Sequence, residues 1–131
     1  MKKMNNIVEI IGGHKRQKEV AFKVVSQMIK ELMPRMNTLD ISIKIRKFQG
    51  DAEGFCMMAD NNRQFEIEVS RELSLKDFVT ALCHEMVHVK QFARNEWMIR
   101  SSGNYWDSPW EKEAYRMESI LAQSVWDANI L

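Results

Sequence analysis

The chain reads as an α+β domain. Apolar residues recur at helical spacing in three long stretches, they alternate at a period of two in short runs between the first and second of these, and no repeat, low-complexity segment or Pro/Gly-rich linker divides the chain. From about Lys15 to Met33 the series Val20, Val24, Met28 and Leu32, flanked by Ala21, Val25 and Ile29, predicts a helix that Pro34 stops. Ile41, Ile43 and Ile45 alternate with Ser42, Lys44 and Arg46, the pattern of a strand with one buried face. Phe55 to Ala59 is a second strand, Asp60-Asn61-Asn62 a hairpin turn, and Phe65, Ile67 and Val69 alternate with Glu66 and Glu68 as a third. Ser74, with Asp77 three residues on, opens a helix whose apolar positions Phe78, Val79, Leu82, Met86, Val87 and Phe92 cover more than one face, so it is expected to be buried on most sides. Residues 96–108 carry loop chemistry. Ser108-Pro109-Trp110-Glu111 places serine at the N-cap, proline at N1 and glutamate at N3 of a last helix running to about Trp126. The expected order is an N-terminal helix, a three-stranded, mostly antiparallel sheet, a second helix, a loop and a C-terminal helix, forming one domain over 1–131 with its core at about 15–128.

At 131 residues the chain is long enough to bury a core without disulfide or metal staples. Its net charge of +1 argues against a nucleic-acid or anionic-membrane surface. The basic run Lys15-Arg16-Gln17-Lys18 is short, is followed by Glu19, and reads as the solvated start of a helix. Two cysteines, Cys56 and Cys83, make no disulfide framework and read as buried free thiols. No apolar run approaches the roughly 20 residues of a membrane span. The N-terminus begins basic, but Glu9 and Gly12-Gly13 interrupt the apolar stretch that a signal peptide needs. A cytoplasmic protein is the expectation.

The chemistry lies in His84-Glu85-Met86-Val87-His88. Two histidines four apart on a helix present their imidazoles one turn apart on one face, so both reach a single ion. Glu85 lies about a hundred degrees further round. It is poorly placed to share the ion but well placed to reach a water bound there. A zinc hydrolase divides labour in this way. Two neutral imidazoles and one further ligand hold the metal, an open position takes water, and the adjacent carboxylate acts as base and then acid. No histidine follows His88. His14, the third in the chain, reads as a surface residue at a helix start. The remaining ligand is then a downstream carboxylate, with Glu111, Glu113 and Glu118 of the last helix as candidates.

His84-Glu85-x-x-His88, 22 residues, then Glu111-x-x-Ala114 resembles the gluzincin arrangement of zinc peptidases, and the layout over roughly 15–128 resembles the small SprT-like and minigluzincin domains, including phage forms. The resemblance implies a zinc metallopeptidase acting on a protein or peptide substrate, with His84, His88 and Glu111 on the metal and Glu85 as general base and acid. It implies Glu111 rather than Glu113 because a small residue, here Ala114, stands three positions later and lets two helices approach. As the N3 member of a capping box with Ser108, Glu111 has another role open to it, and Glu113 stays a candidate. SprT-like proteins often carry a third histidine, absent here, so the broader gluzincin resemblance is the better one. Where several gluzincins place an aspartate supporting a zinc histidine, this chain has Tyr115. Tyr105 is a candidate hydroxyl donor to an oxyanion, or packs with Trp106 and Trp110. Gln91, one turn after His88, either holds a backbone or substrate group or is merely polar. The strand Arg63 to Ser70, if it is a sheet edge, could pair with an extended peptide.

Overall fold

The computed structural model describes residues 5–96 and 108–131. Three helices and a four-stranded mixed sheet make up the described residues, in the order β1 (Ile7–Gly12), α1 (Lys15–Leu32), β2 (Asp40–Arg46), β3 (Gly54–Met58), β4 (Gln64–Ser70), α2 (Leu75–Ala93) and α3 (Pro109–Asp127). The α+β class and all three helices follow the sequence pattern. None of the described helices is long and apolar enough to cross a membrane.

The sheet departs from the three-stranded, mostly antiparallel expectation. It has a fourth strand, β1, ahead of position 15, and its order is β1-β2-β4-β3. β1 pairs parallel with β2, β2 pairs parallel with β4, and only β3 with β4 is antiparallel. Helix α1 carries the chain back along β1, so β2 must start from the same end, which makes a βαβ unit. β1 escapes the alternation test because Ile7 and Ile11 point to the open side while Val8 and Ile10 point to the helices. Apolar on both faces, it shows no period of two.

β4 rather than β3 takes the inner position for a physical reason. Phe65, Ile67 and Val69 are all buried under the helices, whereas β3 offers Gly54, Cys56 and Met58 on that side. The strand with the stronger apolar face gains more from two neighbours. The edge beside α2 is therefore β3, not the strand Arg63 to Ser70.

The helices cover one face of the sheet. Ile41, Ile43, Ile45, Phe65, Ile67 and Val69 meet Val20, Val24 and Met28 of α1 and Phe78, Leu82 and Met86 of α2 in one core. The other face carries ion pairs, Lys44 with Glu66 at 2.9 Å and Arg46 with Glu68. His14 caps α1: its Nδ1 accepts from the Gln17 amide, and Gln17 Oε1 accepts from the His14 amide. That is a capping box with an imidazole in the serine position, at the helix start where the sequence places this histidine.

Candidate metal centre

α2 runs through the core between the sheet, α1 and α3, and nearly every residue from Phe78 to Ala93 is buried. Ser74 caps it by accepting the Asp77 amide. Polar side chains in such a helix need partners, and α3 supplies them. Ser108 Oγ accepts the Glu111 amide and Pro109 stands at the first helical position, which puts Glu111 in the first turn of α3. Ala114, wholly buried, lets α3 lie close on α2.

The Glu111 side chain does not turn back to its own cap. Its Oε1 lies 2.6 Å from His84 Nε2 and 3.4 Å from His88 Nε2. One ligand atom from each of these three residues lies within 4.8 Å of the others. Two imidazole nitrogens and a carboxylate oxygen aimed at one point make a donor set suited to a divalent transition metal. Glu113 points elsewhere, accepting from Lys90 Nζ at 3.2 Å and Gln91 Nε2 at 2.8 Å. These partners outweigh its burial and hold its pKa below the ordinary value.

The far side of each imidazole is held as well. His88 Nδ1 is 2.8 Å from Gln91 Oε1, and Gln91 in turn donates to the Trp110 carbonyl and to Glu113. Gln91, 1% exposed, thus ties His88 to the start of α3. His84 Nδ1 is 3.2 Å from Glu118 Oε2. With both Nδ1 atoms so engaged, the two Nε2 atoms are free to face the same point. Sequence reasoning considered Glu118 only as a third ligand and missed this role. The available signal was spacing, since Glu111 and Glu118 are seven apart and share one face of α3. Tyr115 lies between them, its ring meeting His84 edge-on at 4.7 Å between centroids.

Glu85 reaches toward β3 and lines the same cleft as His84, His88 and Glu111. A Cβ built on Gly54 would lie 3.3 Å from Glu85 Oε2 and 3.0 Å from the Glu68 carbonyl oxygen, so the bare backbone of β3 passes directly over the carboxylate. Burial, with Glu111 and Glu118 adding to it and His88 opposing it, pushes the Glu85 pKa up to about 7. Burial lowers the pKa of His88, but bonds with Glu111 and Gln91 more than offset it and the net shift is upward. Burial raises that of Glu118, against the pull of His84.

A cleft of about 820 Å³ opens over these groups, with β3 as one wall and α2 and α3 as the other. Cys56 lines it from β3, and Cys83 is buried in the core; both thiols are free and are pushed up by burial, Cys83 to about 12. Tyr105, Trp97 and Trp106 lie outside the described residues. The structure thus brings together His84, Glu85, His88 and Glu111 and leaves Glu113 aside. No protein-family model, curated protein or solved structure matches the chain, so the chemistry of this cleft rests on its own geometry.

Proposed function

We propose that the chain is a zinc-dependent peptidase. The observation that carries this reading is the convergence of His84, His88 and Glu111 on one point beside a buried carboxylate poised near neutrality. His84 Nε2, His88 Nε2 and Glu111 would hold the ion, a three-residue set of imidazole and carboxylate that matches catalytic rather than structural zinc sites. When bound, zinc would polarise a carbonyl and lower the pKa of water.

Each remaining part of the work falls to the chain. Gln91 and Glu118 hold the two imidazoles in orientation. β3 is the edge of the sheet along the cleft among the described residues, and its backbone would pair with an extended peptide and lay the scissile bond across the site. Glu85 takes the proton from the attacking water and passes it to the leaving amine nitrogen. Burial of Glu85 supports that role, because a base near neutrality accepts and returns a proton at little cost. Tyr105 remains a proposed oxyanion donor, and an unchanged kcat in Tyr105→Phe would remove it from the mechanism.

Metal content by elemental mass spectrometry, on protein purified without a metal-affinity tag, tests the site. The expected result is about one zinc per chain, lost in His84→Ala, His88→Ala and Glu111→Ala and kept in Glu113→Ala. Glu85→Gln should keep the zinc and lower kcat by about 10²-fold or more. Undiminished cleavage by Glu85→Gln would refute the mechanism.

A further inference from the structure

The chain is almost neutral, yet its cleft is not. Among the described residues lining it there is no lysine or arginine, while Asp51 and Glu53 stand at the mouth beside Gly54. The carboxylates of the centre itself do not account for this. A dication would balance two of Glu85, Glu111 and Glu118 and leave the third, so Asp51 and Glu53 are surplus negative charge. The glutamates that follow on the sheet and on α3 are matched: Glu66 by Lys44, Glu68 by Arg46, Glu72 by Lys47 and Glu113 by Lys90. Asp51 and Glu53, among the described residues, form no ion pair. Glu53 is tied to the sheet, its carbonyl accepting the Ser70 amide at 2.9 Å, and its carboxylate lies within electrostatic reach of Glu118 and Tyr115 on the opposite wall. Glu53 thus presents an unmatched carboxylate on a held backbone, just before the strand that borders the cleft.

Building on the peptidase reading, we propose that the cleft selects peptides with lysine or arginine side chains beside the scissile bond, and that Glu53 is a specificity-determining residue. A cationic side chain entering along β3 meets Glu53 and Asp51 and, among the described lining residues, no lysine or arginine, whereas an acidic one meets like charge at the mouth.

The test is binding, measured by fluorescence anisotropy on the zinc-loaded Glu85→Gln protein. Three labelled peptides share one scaffold and carry lysine, alanine or glutamate at the central positions. The lysine peptide should bind at least about fivefold tighter than the glutamate peptide at low salt. The gap should narrow as salt rises from about 0.05 M to about 0.5 M. Glu53→Lys should close or reverse it and Glu53→Gln should reduce it, while Glu19→Lys, the same charge change on α1 outside the cleft, should leave it in place. Equal binding of the three peptides, no measurable binding of the lysine peptide, or a gap unmoved by both Glu53 variants overturns the proposal. Cleavage by the wild type separates the two readings. Selective binding without cleavage of any peptide removes the peptidase and keeps the charge selection; cleavage of all three without binding preference does the reverse.

Discussion

The burial that raises the pKa of Glu85, and suits it to the proposed role of base, comes at the expense of stability. Its pKa of about 7, against an ordinary 4.5, means that the folded, metal-free chain holds a proton between those values that the unfolded chain has released. The folded state binds more protons there, so stability falls as pH rises through that window. The raised pKa of His88 acts in the same direction, because its stabilising charge is present below the ordinary 6.5 and lost as pH rises through the folded value. Chelator-treated protein should therefore melt lower at about pH 7.5 than at about pH 5.5, and Glu85→Gln should flatten the difference. A wild-type melting point independent of pH would contradict the buried, protonated carboxylate. Glu118→Ala and Gln91→Ala leave the three proposed ligands in place but release one imidazole each. Both should weaken zinc affinity about 10- to 100-fold, measured by competition with a chromogenic chelator. At this scale the sequence was informative wherever local spacing decides: residues 84, 85 and 88 are related by one helical turn whatever surrounds them. The choice of Glu111 over Glu113 was open because two residues on one helix point about 200° apart. Which of them meets α2 depends on how α3 is rotated, and that is decided by distant packing of Leu121, Val125 and Ala114.

Among the elements, α3 is placed by its start and by its smallest buried residue. Ser108→Ala should cost about 1 kcal/mol through the lost cap. Ala114→Leu should cost about 1–3 kcal/mol by overpacking the seam between α2 and α3, and should carry Glu111 away from the histidines. The expected signature is that Ala114→Leu loses zinc while Ser108→Ala keeps it. The other junction sensitive to substitution joins β1 to α1. Gly12 has φ +81°, and a Cβ there would overlap the Ile45 carbonyl oxygen, so Gly12→Ala should destabilise by more than about 1 kcal/mol in thermal melts. The helices were legible because each carries a cap and a full period, visible within its own residues. The sheet order was not, because pairing depends on where a crossover returns the chain and on which strand competes best for the centre. A β-branched run closed by Gly12-Gly13 and followed at once by a helix was the overlooked sign of a parallel unit.

For the whole molecule, the core is continuous from β1 to α3 without passing through the ligands. On the proposed reading, removal of the metal should leave the far-ultraviolet circular dichroism unchanged and lower the melting point only by the lost binding energy. Unfolding on chelation would instead make the metal a structural staple, as in domains too small to fold alone. The charge layout has its own consequence. Nineteen basic and 18 acidic residues nearly cancel, but Lys15, Arg16, Lys18 and Lys23 gather on α1 while the cleft mouth is acidic. Patches of opposite sign contribute an electric dipole that the small net charge does not report. Near neutral pH and at low salt it should be retained by both anion- and cation-exchange media, presenting a different side to each. In solution the same dipole would turn the cleft toward a positively charged surface before any contact is made.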